Sequence, residues 1–207
     1  MAELIELHDK QQFECIGISF GPWHQDQMQL RLKQSFDQLI DASALSDIQI
    51  AQLARELKID IAIDLKGYTQ HCRTGIFAYR AAPIQVSYLG YPGTMAADYM
   101  DYLIADKVLI PQSSQSAYSE KIVYLPNSYQ ANDRKRVISD IGFSKAQLGL
   151  PEQGFVFCSF NNNFKILPAT FESWMRILKA VEGSVLWLFE DNDLVVQNLK
   201  DEAFRQG

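Results

Sequence analysis

A chain of 207 residues, 47% of them hydrophobic, is long enough to bury a core as one large domain or as parts of two. Its net charge of −6, without any Lys/Arg-rich stripe, argues against nucleic acid or an anionic membrane as the main partner. The widely separated Cys15, Cys72 and Cys158 suit buried thiols in a reducing compartment better than a disulfide frame, so a cytoplasmic location is expected. The N-terminal residues lack the basic start and apolar core of a signal peptide, and no apolar run reaches membrane-spanning length.

In chain order, residues 2–9 place Leu4, Ile5 and His8 at helical spacing and read as the end of a helix that begins elsewhere. Residues 15–20 read as a strand stopped by Gly21-Pro22. Residues 25–35 read as a polar helix with Met28 and Leu32 on its inner face, and residues 36–40 as a short strand or loop. Ser46 and Gln49 fit a capping box that starts a helix burying Ile50, Leu53, Ala54 and Leu57. Residues 59–65, Ile-Asp-Ile-Ala-Ile-Asp-Leu, are apolar enough for an interior parallel strand ending at Lys66-Gly67-Tyr68-Thr69. Strands and helices thus alternate as in a doubly wound sheet.

A short helix over residues 73–80 leads to a β-branched and aromatic run, residues 84–89, which stops at Gly90-Tyr91-Pro92-Gly93-Thr94. Glycines at the end of a buried strand let a ligand approach backbone N–H groups, and in open α/β sheets ligands sit beyond the carboxyl ends of the strands. A tight structural turn fits the same residues equally well. Two further strands, residues 102–106 and 121–125, flank a polar loop over residues 111–119. The break at residues 126–133 and the charged, glycine-bearing residues 134–152 suggest an inter-domain connection.

The pattern then restarts. Residues 155–160 read as a strand, followed by the loop Asn161-Asn162-Asn163-Phe164-Lys165-Ile166. A helix opened by Pro168 carries Phe171, Trp174, Met175 and Leu178 on one face and is closed by Gly183. A strand over residues 185–189 and a helix over residues 193–206 complete it. Two strands cannot close a sheet of their own, so the chain is expected to be a piece of a larger protein.

Dinucleotide, Walker, nucleophile-elbow and Cys-x-x-Cys signatures are absent. Asp191-Asn192-Asp193 resembles a metal clamp, but Asp193 before a helix reads better as an N-cap. His71-Cys72 has no second ligand pair at metal spacing, and His8 and His24 are unremarkable. Asp98, Asp101 and Asp106 read as turn and cap acceptors. Lys165 stands in an Asn-rich loop after a strand and before a helix N-terminus, where a diphosphate would meet an ammonium, amide donors and the helix end. A merely solvated lysine fits these residues as well.

Taken together, Leu65-Lys66-Gly67-Tyr68-Thr69, Ala82-Pro83-Ile84-Gln85-Val86 through Leu89-Gly90-Tyr91-Pro92-Gly93-Thr94, Met100-Asp101-Tyr102, Tyr118-Ser119-Glu120-Lys121, Tyr124-Leu125-Pro126 and Phe160-Asn161 through Phe164-Lys165-Ile166 resemble the catalytic region of the O-linked N-acetylglucosamine transferase family, in its bacterial or SPINDLY-like form. The resemblance implies an α/β, glycosyltransferase-B fold: residues 1–133 as most of an N-terminal Rossmann-like lobe, 134–153 as the connection and 154–207 as the start of a C-terminal nucleotide-binding lobe. It implies inverting, metal-independent transfer of N-acetylglucosamine from UDP-N-acetylglucosamine to Ser or Thr of proteins, with no cofactor. By the same resemblance Lys165 is catalytic. Leu89, Gly90, Tyr91, Pro92, Gly93, Thr94, Asn127 and Tyr129 are substrate-binding, and Asn161, Asn162 and Lys165 hold the donor.

The chain departs from the pattern in having Asn162 where many relatives have Gln, Phe164 where they have Tyr, and Asn127 where animal members have His. The family's upstream His-Pro segment, its downstream His-Thr-Thr segment and its tetratricopeptide repeats are not within the 207 residues. The chain by itself is therefore expected to be inactive, and upstream repeats are expected in the full-length protein. Two other readings use the same residues: a non-catalytic sugar-nucleotide-binding or scaffold module, and a SPINDLY-like transferase using GDP-fucose.

Overall fold

The computed structural model describes residues 1–22 and 26–207; His24 and the expected helix start at Gln25 lie outside the described residues. The chain divides into two compact units, Met1–Arg136 and Val137–Gly207.

The first unit runs α1 (Ala2–Glu6), β1 (Ile16–Ser19), α2 (Gln27–Ser35), β2 (Gln38–Asp41), α3 (Asp47–Glu56), β3 (Ile61–Asp64), α4 (Gly75–Ala78), β4 (Ile84–Tyr88), β5 (Tyr102–Ala105) and β6 (Lys121–Tyr124). β1 and β2 pair in parallel, and β3-β4-β5-β6 form a second parallel sheet in that order. Parallel pairing forces each connection to cross over and leaves all four strand ends on one edge. α3 begins as its sequence dictates: the Gln49 amide donates to Ser46 Oγ, and the Ser46 amide donates to Gln49 Oε1 at 2.8 Å. Its inner face, Ile50, Ala51 and Ala54, packs with Ile76, Phe77, Met95 and Met100 into the main core. The 111–119 loop contains a 3₁₀ helix, Gln112–Ala117.

Two expectations fail here. Met28 is 48% exposed; Ser35 is the buried residue of α2, whose Arg31 is instead held by Glu6 and Asp133. β3, expected to be interior, lies at one end of its sheet, with Ile61 52% and Ile63 49% exposed. Only one face of β3 is covered: Ala62 packs on the α3–α4 core and Asp64 is buried, while the Ile61/Ile63 face stays open. An apolar run reports what a strand can bury and is silent on what lies against it.

The second unit runs β7 (Val156–Ser159), α5 (Pro168–Ala180), β8 (Val185–Leu188) and α6 (Asp193–Gln206), with β7 and β8 parallel. Pro168 occupies the first turn of α5, where its missing N–H costs nothing, and Phe171 and Met175 face inward as the periodicity predicts. The cap of α6 is Asn192, not Asp193: Asn192 Oδ1 accepts from the Val195 amide at 3.1 Å, and Asp193 is the first helical residue. Either side chain suits a cap, so the backbone decides, and Asn192 is the residue that is still extended. No described helix is long and apolar enough to cross a membrane.

Candidate functional site

In the first unit the turns after β3, β4 and β6 gather at the carboxyl edge of the four-stranded sheet. The β3 and β4 turns interlock. A Cβ on Gly90 would stand 2.3 Å from the Leu65 carbonyl oxygen, and a Cβ on Gly67, at φ +54°, would stand 2.4 Å from the Tyr91 Cβ. Only glycine allows either approach. The Tyr68 and Tyr91 rings meet edge to face at 5.6 Å, and the Tyr68 hydroxyl donates to the Met95 carbonyl at 2.9 Å. Leu89, directly ahead of Gly90, sits at φ +71°, a left-handed conformation that costs a non-glycine residue about 1–2 kcal/mol and persists where its surroundings enforce it.

Beyond Gly90, whose amide donates to the Tyr88 carbonyl, the amides of Tyr91, Gly93 and Thr94 make no hydrogen bond within the described residues. This turn therefore offers backbone donors at the edge where parallel sheets bind ligands.

The segment after β6 is drawn to the same edge by two residues that sequence reasoning did not assign to the site. Asp106, buried at the end of β5, accepts from the amides of Val108 and Leu109 through Oδ1 and from the Tyr129 amide through Oδ2 at 2.8 Å. These bonds, the Leu109 amide first and then Tyr129, hold the Asp106 carboxyl below the usual carboxylate range. The Tyr88 hydroxyl, from the last residue of β4, donates to the Tyr129 carbonyl at 2.6 Å. Tyr129 is thus fixed by its backbone beside the residue that precedes Leu89, and Asn127 lies two positions upstream, exposed. The Asp106-Lys107-Val108 turn was legible as a local cap; its bond to a residue 23 positions away was not. Asp101 is likewise an acceptor, taking the Gln85 amide at 2.8 Å and the Arg80 guanidinium.

In the second unit β7 ends at Ser159, and Asn161 and Asn162 are exposed. A 3₁₀ turn, Asn163–Lys165, carries exposed Lys165 to two positions before Leu167, the cap residue of α5. Leu167 provides no side-chain cap, so the Ala169 and Thr170 amides of the first turn receive no side-chain acceptor there. Among the described residues Lys165 forms no ion pair. A cation, uncapped helix amides and a positive helix end together suit a phosphate. Beside them a shallow groove of about 290 Å³ lies between this turn and α6, lined by Asn163, Phe164, Ile166, Asp191 and Val195 among others. Asn161, Asn162 and Lys165 are absent from its lining. Among the described residues no three His, Cys, Asp or Glu side chains cluster as a metal site would require.

Compared with solved structures, the chain superposes on a mutant of the Thermobaculum terrenum O-GlcNAc transferase with a TM-score of 0.85 and 28% identity. The match covers 100% of this chain and 39% of that one. The fold is therefore of the GT-B type, mixed α/β with parallel sheets. A family model for glycosyl transferase family 41 matches residues 1–143 and 139–207, and the chain belongs to that family. Among curated proteins it is 37% identical over 193 residues to the probable UDP-N-acetylglucosamine–peptide N-acetylglucosaminyltransferase SEC of Arabidopsis thaliana, covering 91% of this chain and 20% of the relative. It is 35% identical over 147 residues to the corresponding SPINDLY protein of Petunia hybrida, covering 70% of this chain and 15% of that protein.

Proposed function

We propose that this chain forms part of a protein O-glycosyltransferase that moves N-acetylglucosamine from UDP-N-acetylglucosamine to Ser or Thr hydroxyls of proteins, with inversion and without a metal ion. The observation that carries this reading is the interlocked glycine turn at the carboxyl edge of the four-stranded sheet, in a chain of family 41 whose relatives are named for this chemistry. The unpaired amides of Tyr91, Gly93 and Thr94, with Leu89, Gly90, Pro92, Asn127 and Tyr129, bind the donor and the acceptor side chain. Asn161, Asn162 and Lys165 bind the diphosphate.

In the transfer step the acceptor hydroxyl gives its proton to a general base of the full-length enzyme, its oxygen bonds to the anomeric carbon, and the bond from that carbon to the β-phosphate oxygen breaks. Its electron pair stays on the leaving UDP. Lys165 and the α5 N-terminus meet that developing charge, which is larger in the transition state than in bound donor, so their contribution appears in rate. The Lys165 ammonium thereby takes the role a divalent cation plays in other nucleotide-sugar enzymes. Upstream tetratricopeptide repeats select the acceptor protein, and the enzyme works in the cytoplasm. The direct test incubates the full-length protein with Ser/Thr peptides and, in parallel reactions, UDP-[³H]N-acetylglucosamine or GDP-[³H]fucose, in the presence of a chelator. Label in the peptide, released by β-elimination, is the expected result; label transferred only from GDP-fucose, or none at all, contradicts the reading.

A further inference from the structure

The glycine turn is locked at its start by Gly90 against Leu65, and its far end is held by a residue so far given no role. Glu120, directly before β6, is 5% exposed. Its Oε1 accepts from the Met95 amide at 2.6 Å and its Oε2 from the Thr94 hydroxyl at 2.8 Å. Among the described residues it has no cationic partner. A carboxylate buried without a cation is costly, and here its hydrogen bonds go to two consecutive residues at the end of one turn. The Thr94 oxygen is also fully used, accepting from the Ala96 amide at 3.0 Å and the Ser119 amide at 3.3 Å. Ala96 is held at φ +48°, a conformation a non-glycine residue keeps only under such constraint. Between the two fixed ends lie Tyr91, Pro92 and Gly93, and the Tyr91 and Gly93 amides make no hydrogen bond within the described residues and stay open to a ligand.

We propose that Glu120 is a positioning residue: through Thr94 and Met95 it holds the 91–93 backbone in the geometry that receives the nucleoside-diphosphate sugar. The inference rests on the transferase reading above. Preorganised amides lose little freedom when donor binds, so releasing the turn weakens donor binding even though Glu120 itself touches no substrate.

Glu120→Gln keeps the shape but sets an NH₂ donor against either the Met95 amide or the Thr94 oxygen, which already takes two donors. In the full-length enzyme, Glu120→Gln and Thr94→Val are each expected to raise the KM for UDP-N-acetylglucosamine by about fivefold or more, the scale of one lost buried hydrogen bond. The double variant is expected to be no worse than the weaker single, because both release one clasp. Ile50→Val, which thins the core beneath α3, is the control: it lowers Tm while donor KM stays at the wild-type value. Wild-type donor KM in both Glu120→Gln and Thr94→Val overturns the proposal, as does a rise that Ile50→Val matches at equal loss of Tm. If Glu120→Gln does not fold, Thr94→Val decides alone by the same two outcomes. A wild-type protein that turns over no nucleotide sugar overturns the transferase reading and this proposal with it, whereas an active wild type with unaffected variants overturns the proposal only.

Discussion

The Tyr129 amide donates to Asp106 Oδ2 at 2.8 Å, and this one bond joins the end of β5 to a segment 23 residues further along. With the Tyr88 hydroxyl on the Tyr129 carbonyl, it makes the 127–131 backbone part of the sheet edge. Asp106→Ala removes the acceptor of three amides and is expected to lower Tm by roughly 3 °C or more. Tyr129 amide exchange should rise more than that of β3. A differential scanning measurement together with hydrogen exchange checks both, and unchanged protection at Tyr129 would refute the link.

Acid stability follows from the cluster that ties α1 and α2 to the segment after β6. Arg31 hydrogen-bonds first, and Lys135 second, hold the Glu6 carboxyl down to about 2 from its ordinary 4.5, and Asp133 is lowered by Arg31 as well. Groups whose folded pKa is depressed contribute stability that is present in full above about pH 4.5 and is lost as pH falls toward 2. Thermal melts between pH 6 and pH 2 should show Tm falling most steeply below pH 4.5. Glu6→Gln should flatten that fall while costing Tm at pH 6; parallel curves for the two proteins would show that the cluster carries no acid sensitivity.

Gly90→Ala places a methyl group 2.3 Å from a backbone oxygen, where no rotamer change can relieve it. The β3 or β4 turn must move, at about 1–3 kcal/mol in stability, and the open amides move with it. Circular dichroism should stay native-like while kcat/KM for donor falls by about tenfold or more, as misplacement of a binding group typically produces. Gly142→Ala, where nothing lies within 4 Å of an added Cβ, should change neither quantity.

How far the sequence reaches can be read from particular residues. Strands β3 to β8 announce themselves as β-branched or aromatic runs, and Ser46/Gln49 and Pro168 mark helix starts by local hydrogen-bond chemistry that depends on neighbours within a few positions. Gly90 and Gly67 mark a turn, but that each fits against the other's loop depends on strand order, which the local pattern leaves open. The exposure of Met28 and Ile63 depends on what packs against α2 and β3. Asp106 and Glu120 act through residues 23 and 25 positions away, and ordinary spacing rules connect no such pairs.

The central claim is that Lys165 stabilises the departing diphosphate, and turnover of the full-length Lys165→Ala variant with saturating UDP-N-acetylglucosamine tests it most directly. Removing the charge that meets the leaving group should lower kcat by about a hundredfold or more, with Tm unchanged because the side chain is exposed and has no ion-pair partner among the described residues. A kcat within twofold of the wild type would contradict the account.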